Sequence, residues 1–312
     1  MILVFYFSLG RQQRQERRRP DPWRQSGFGC QYQNEHNFDK QGQVNKLLKM
    51  QSKANKLKTF YGNNGYLTEI HVLDKDQLDL MTQNFSALED KFGKVYTQYS
   101  LHNVHLQYKW VMDLATNPLV LQAIIAVLGP NVILLDSRFI CKYPASDVPH
   151  KSNVAPYVAW HQDIRYWGFE GGPVASVWLA LDDVDEENGV LQVIPGSHKL
   201  GLLEHKTSAI PGNMLTSNQE IPKHLVEAEE AIRCPLKAGQ MSIHDGLTVH
   251  FSEPNLSNRR RCGFVIRYVP TTAYPVDDAD RPRSFPATVL VAGVDKFNHF
   301  TNNAPDNFTK IF

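Results

Sequence analysis

At Gly129-Pro130-Asn131 the chain changes texture, and that change restricts its fold more than any other feature. Ahead of it, apolar residues recur at helical spacing. Residues 43–58 alternate Lys, Gln and Leu in a helix-compatible way, and residues 74–92 combine an acidic start with apolar positions three and four apart, which predicts a capped amphipathic helix. Residues 110–128 repeat the pattern around Asn117-Pro118 until Gly129-Pro130-Asn131 stops it. Beyond that point the apolar runs are short, β-branched or aromatic, and bounded by Gly, Pro, Asn and Asp: 132–142, 174–181, 190–194, 241–243 and 262–269. Helices first and strands afterwards, with no β-α-β alternation, predict a mainly β core with flanking helices. A double-sheet jelly roll fits the uneven strand spacing better than a sandwich of regular hairpins.

Composition narrows the class. A 312-residue chain with 42% hydrophobic and 21% charged residues suits one sizeable globular domain. Its net charge of +1 argues against a surface built for nucleic acid or anionic lipid. Arg11, Arg14, Arg17, Arg18, Arg19 and Arg24 face only Glu16 and Asp21, so residues 1–40 read as a solvated tail before a single domain over 41–312. Cys30, Cys141, Cys234 and Cys262 form no C-x-x-C pair, which points to a reducing compartment rather than a disulfide framework. The apolar start, residues 1–9, is too short to span a bilayer, and its positive charges follow rather than precede it. Lys310-Ile311-Phe312 is not a peroxisomal address, so the expectation is a cytoplasmic protein. Nothing in the sequence sets an oligomeric state.

The chemistry centres on Trp160-His161-Gln162-Asp163. In an extended strand, residues i and i+2 share a face, so His161 and Asp163 would reach one cation together. Such a pair is a weak signal alone, and a further ligand must come from elsewhere. His150, His198, His205, His224, His244, His250 and His299 are the candidates. His198, in Pro-Gly-Ser-His, reads rather as a turn residue, as do Asn188-Gly189 and Pro195-Gly196.

Five segments in fixed order then add specificity: 138–144 (RFICKYP), 160–167 (WHQDIRYW), 178–183 (WLALDD), 187–199 (ENGVLQVIPGSHK) and 250–261 (HFSEPNLSNRRR). Together they resemble the phytanoyl-CoA dioxygenase family of Fe(II)/2-oxoglutarate oxygenases over residues 65–270. The resemblance implies a cupin-like double-stranded β-helix, with Fe(II), 2-oxoglutarate and dioxygen as its reaction partners. It makes His250 the distal ligand of a 2-His-1-carboxylate triad with His161 and Asp163, leaving three positions open on the metal. It also implies that Arg261 pairs with the far carboxylate of 2-oxoglutarate, that Ser252 bonds the same group, and that Trp178 walls the pocket.

Alternatives stay open at two positions. His244 lies six residues before His250 and competes for the ligand role, although the serine and arginine downstream favour His250. Arg259 has the same strand parity as Arg261, but sits closer to the Asn-Leu-Ser-Asn turn. Phe251 and Glu253 stand where the family often has small residues, and the segment 145–158 is either a substrate loop or a neutral insertion. Arg165 and Arg267 are candidates to attract an anionic substrate group.

The implied reaction is hydroxylation of an unactivated C–H bond in a small organic molecule, releasing succinate and CO2. Two rivals differ from it in residues. A halogenase relative would place Gly or Ala where Asp163 stands, and an inactive jelly-roll binding module would have lost a ligand or the anchoring arginine.

Overall fold

The computed structural model describes residues 51–148, 154–276 and 284–312. The chain divides into units 1–49 and 50–312, and the described residues all belong to the second. The tail expected over residues 1–40 lies outside the described residues, as do residues 149–153 of the segment 145–158.

A helix runs through residues 51–64 and feeds strand β1 (Tyr66–His71). The next helix, Lys75–Phe92, starts where the acidic signal placed it. The Asp74 carboxylate accepts the Gln77 N–H at 2.9 Å, and the Gln77 side chain accepts the Asp74 N–H at 3.1 Å. This reciprocal cap is worth about 1 kcal/mol. Its buried face, Phe85 and Leu88, packs on the sheet.

The run 110–128 is not one helix. It splits into Lys109–Ala115 and Pro118–Leu128, bent by 43°. Pro118 has no N–H to continue the first helix, and the Asn117 side chain instead caps the second by accepting the Leu119 N–H at 2.9 Å. Among the described residues no single helix is long and apolar enough to cross a membrane. Val111, Val120, Leu121 and Ile124 of this bent pair are buried in the protein's own core.

Two antiparallel sheets form the β core. The larger holds β1, β2 (Val132–Lys142), β4 (Ala175–Ala180), β7 (Gln240–Asp245), β9 (Arg261–Pro270) and β10 (Val289–Ala292), in the order β1-β7-β4-β9-β2-β10. The smaller is β3-β8-β5-β6, with β3 at Val158–His161, β5 at Leu191–Val193, β6 at Ile232–Cys234 and β8 at His250–Ser252. This is the jelly-roll arrangement expected from the sequence.

Alternation along the strands sorts side chains to two sides of the large sheet. Leu134, Phe139, Cys141, Val177, Leu179, Ile243, Phe264 and Ile266 join the helices in one apolar core. The opposite positions, including Ile140, Trp178, His244, Arg261, Val265 and Arg267, line a pocket with β3 and β8 of the small sheet. One side of the large sheet therefore supplies cohesion and the other supplies chemistry.

Candidate metal centre and its pocket

His161 and His250 are direct partners across β3 and β8, and their ring centroids lie 4.0 Å apart. Each Nδ1 sits 2.9 Å from a carbonyl oxygen two residues back, Ala159 for His161 and Thr248 for His250. A carbonyl only accepts, so each Nδ1 carries the proton and each Nε2 keeps its lone pair. His161, Asp163 and His250 place ligand atoms within 4.8 Å of one another, and all three residues are buried.

Asp163 reaches this group by a different route from the one expected. Strand β3 ends at His161, and Asp163 has helical backbone angles, φ −59° and ψ −40°, ahead of the short helix Ile164–Trp167. Strand alternation therefore does not bring the two side chains together; a tight turn does. Gln162 holds that turn. Its Nε2 donates to the Gly201 and Leu247 carbonyls at 2.8 and 2.7 Å, while its Oε1 accepts the Leu203 N–H at 2.8 Å. The Ile164 N–H donates to the Gly246 carbonyl at 2.9 Å. Sequence reasoning passed over Gln162, although a polar residue between two ligands was a signal that it anchors the turn.

The two oxygens of Asp163 have different surroundings. Oδ1 lies 3.5 Å from His161 Nε2. Oδ2 accepts from Ser176 Oγ at 2.5 Å and lies 3.5 Å from His244 Nε2 and 3.7 Å from Arg267 Nε. Burial raises the affinity of this carboxylate for a proton, but Arg267, His161, His244 and His250 outweigh it and hold the group well below the usual carboxylate range. For His250, burial comes first, then the charges of His161 and His244, and together they push the imidazole well below its ordinary value. An ionised carboxylate beside an imidazole held neutral, as at Asp163 and His250, is the protonation state a divalent cation requires.

His244 stands beside this group, its ring centroid 4.3 Å from that of His250 and neither ring nitrogen hydrogen-bonded among the described residues. Its nearest approach is to Oδ2, the oxygen already bonded by Ser176. The other histidines fall away from the centre. His198 lies in a turn with Nε2 3.2 Å from the Gly62 carbonyl oxygen, and His224 and His299 are exposed. His205 accepts the Gln162 N–H, with burial foremost in bringing its pKa down to about 4. His150 lies outside the described residues.

Arg261 of the pocket lining is buried beside a second cation, Lys142. Arg261 is 2% exposed, its Nε has no hydrogen-bond partner among the described residues, and its guanidinium lies 4.5 Å over the Trp178 ring. Burial brings this guanidinium down to about 10, so it stays charged near neutrality. Lys142, its partner across β2 and β9, is fully buried. The Lys142 ammonium donates to Ser252 Oγ at 2.7 Å, to the Ser252 carbonyl at 3.1 Å and to the Glu253 carbonyl. Burial first, then the Arg261 charge, hold Lys142 well below the ordinary lysine value. Among the described residues neither cation has an ion-pair partner, a costly arrangement unless an anion joins them. Lys142 was missed from sequence because a lysine inside a strand usually points to solvent.

Arg259 lies elsewhere. It is outside β9 and partly exposed, and its NH2 donates to both oxygens of Asp185, at 2.9 and 2.8 Å, and to Glu187 at 3.2 Å. Ser252, Trp178 and Arg261 line the same pocket as His161, Asp163 and His250. Phe251 stacks on Trp160, with centroids 5.0 Å apart.

Comparison with known proteins agrees with this geometry. Residues 61–263 match the family model described as Phytanoyl-CoA dioxygenase (PhyH). A "probable alpha-ketoglutarate-dependent hypophosphite dioxygenase" of Stutzerimonas stutzeri is 27% identical over 179 residues, 56% of this chain and 58% of that protein. An L-proline trans-4-hydroxylase of Streptomyces griseoviridis is 33% identical over 138 residues, 38% of this chain and 51% of that protein. The chain thus spans only about half the length of the curated relatives it matches. Among solved structures, the non-heme monooxygenase ThoJ superposes with a TM-score of 0.64 at 25% identity, covering 80% of this chain and 88% of ThoJ. The epimerase SnoN, solved with Fe3+ and alpha ketoglutarate, gives 0.57 at 20% identity, covering 75% and 93%, and speaks to the fold alone.

Proposed function

The chain belongs to the phytanoyl-CoA dioxygenase family, and from that premise we propose that it is an Fe(II)- and 2-oxoglutarate-dependent dioxygenase that hydroxylates a C–H bond of a small organic substrate. One observation carries the reading. A buried His-Asp-His group shares a pocket with the buried Arg261, which lacks a counter-charge among the described residues and has the buried Lys142 as its cross-strand neighbour.

In this reading His161, Asp163 and His250 hold the metal, while Ser176, His244 and Arg267 fix the carboxylate from its far oxygen. Arg261 and the Ser252 hydroxyl receive the distal carboxylate of 2-oxoglutarate, with Trp178 stacked against the guanidinium and the Lys142 ammonium adding positive charge from behind Ser252. The metal and the keto acid supply the oxidation, consuming dioxygen and releasing succinate and CO2. The protein's part is to orient both substrates and keep water from the pocket. Asp163 favours hydroxylation over halogenation, because its carboxylate takes the position a halide would need. A reducing, cytoplasmic setting suits the buried free thiols of Cys141, Cys234 and Cys262.

Anaerobic addition of Fe(II) and 2-oxoglutarate tests the proposal through the weak visible charge-transfer band of the chelate. The expected result is a band in the wild type and none in Asp163→Ala or His250→Ala. A normal band in both variants would refute the ligand assignment. Succinate release across candidate substrates then tests turnover.

A further inference from the structure

Beside the metal pocket lies a second and larger cavity of about 460 Å³, enough for a small organic molecule. Three chain segments run from one chamber into the other. Along β2, Ile140 lines the metal pocket while Arg138 and Asp136 line the cavity. The turn that carries Asp163 continues into Arg165 and Trp167, and Met214-Leu215 continues into Ser217 and Gln219. The partition is thin. Arg267, 3.7 Å from Asp163, lies 4.8 Å over the Trp167 ring, and Arg138 lies 4.5 Å over Tyr99 of the metal pocket.

The charges in this cavity are unbalanced. Arg138 is 8% exposed, its Nε is buried without a hydrogen-bond partner, and no carboxylate pairs with it among the described residues. Its NH2 donates to His102 Nδ1 at 2.9 Å. The His102 ring is further held by a hydrogen bond to the Tyr99 backbone, so it steadies Arg138 and leaves the guanidinium to meet a ligand. Arg165 has no side-chain hydrogen bond or ion pair among the described residues. Asp136, the one lining acid among the described residues, is already engaged by Arg267 NH1 at 3.4 Å. The rest of the lining is mixed: Asn103, Ser217, Gln219 and Ser284 alternate with the apolar surfaces of Leu135, Trp167, Phe285, Pro286 and Ala287.

We propose that this cavity is the substrate site, and that Arg138 and Arg165 bind a carboxylate or phosphate at the end of a small substrate remote from the reacting carbon. This rests on the oxygenase reading, since only then does a substrate need a seat beside the metal. A buried guanidinium with an unmet N–H is costly in the empty protein, and an oxyanion supplies both the charge and the acceptor it lacks. Arg267 is excluded from this anchor because Asp136 and Asp163 already occupy it.

Calorimetry on protein loaded anaerobically with Fe(II) and 2-oxoglutarate provides the test. The probes are inorganic phosphate and two matched pairs: 3-hydroxybutyrate against 3-hydroxybutyramide, and glycerol 3-phosphate against glycerol. The charged member of at least one pair is expected to bind about tenfold or more tightly than its neutral partner. Arg165→Gln should cost that charged probe about tenfold in affinity and leave the 2-oxoglutarate charge-transfer band unchanged. Equal binding within both pairs, no binding of any anion, an unaffected Arg165→Gln, or displacement of 2-oxoglutarate by the probes would each overturn the proposal. Loss of the band itself in the wild type would instead count against the oxygenase reading, and the same titrations on the protein alone would still decide the anion site.

Discussion

Gly263 and Trp178 fit each other by subtraction: a Cβ at position 263 would fall 2.0 Å from Trp178 Cζ2. The missing side chain lets the indole lie flat on β9, where it supports the Arg261 guanidinium 4.5 Å away. Gly263→Ala is expected to destabilise the protein by about 1–3 kcal/mol, the usual range for overpacking. It should also weaken 2-oxoglutarate binding by tilting Trp178 from under Arg261. Urea midpoints and 2-oxoglutarate titrations check both effects. Combining it with Trp178→Phe should recover part of the lost stability, which a merely additive pair would not do.

The two arginines should separate in the same titration. If Arg261 is the proposed anchor, Arg261→Gln removes a buried donor to the cosubstrate, and a loss of about 2–5 kcal/mol in binding is expected. Arg259→Gln breaks only a partly exposed ion pair with Asp185 and Glu187, so 2-oxoglutarate affinity should hold and stability should move by less than about 1 kcal/mol. The reverse pattern would reassign the anchor.

Lys142 gives the anchor a pH limit. Its folded pKa lies well below the ordinary lysine value, so rising pH removes the ammonium early and anion binding weakens with it. The expected profile is a fall in 2-oxoglutarate affinity on the alkaline side in the wild type. Lys142→Met should bind more weakly at neutral pH and show a flatter profile over that range. Calorimetry from neutral to mildly alkaline pH distinguishes the two.

Acid should act through His105. It is 1% exposed, its Nε2 donates to the Ala287 carbonyl at 2.9 Å, and its Nδ1 accepts from Ser137 Oγ at 2.7 Å, a neutral tautomer whose pKa burial lowers. Between the lowered folded value and the unfolded value of about 6.5, the unfolded chain binds more protons. Stability is therefore full above that window and lost as pH falls through it, by at most about 1.4 kcal/mol per pH unit for one histidine. His105→Gln should be less stable at neutral pH but lose less between about pH 7 and 5 in urea unfolding.

Length and register decide how much of the fold is legible in the sequence. Strand β2 matches its expected bounds because eleven residues of β-rich sequence suffice to show themselves. β1, β6, β8 and β10 were not among the expected strands, their three to six residues carrying little pattern without a clear turn signal on both sides. The jelly roll and the grouping of His161, Asp163 and His250 were legible, but the means of grouping was not. The turn at Gln162 depends on carbonyls of Gly201 and Leu247, far along the chain, which no local reading supplies. Arg138 and Lys142 were hidden for a related reason: their burial depends on neighbouring strands.

The alternation along β2 has one more consequence. Lys142, Ile140, Arg138 and Asp136 are successive same-side residues of one strand, running from the 2-oxoglutarate anchor past the metal pocket to the outer cavity. At about 3.4 Å per residue, Lys142 and Arg138 stand about 14 Å apart along a backbone paired with β9 on one edge and bonded by residues 98–102 on the other. On the proposed assignments the strand would work as a ruler, measuring how far a substrate's charged end can sit from the carbon to be oxidised. Loops can vary around it, but the reach from one anchor to the other is written in the pleat of β2.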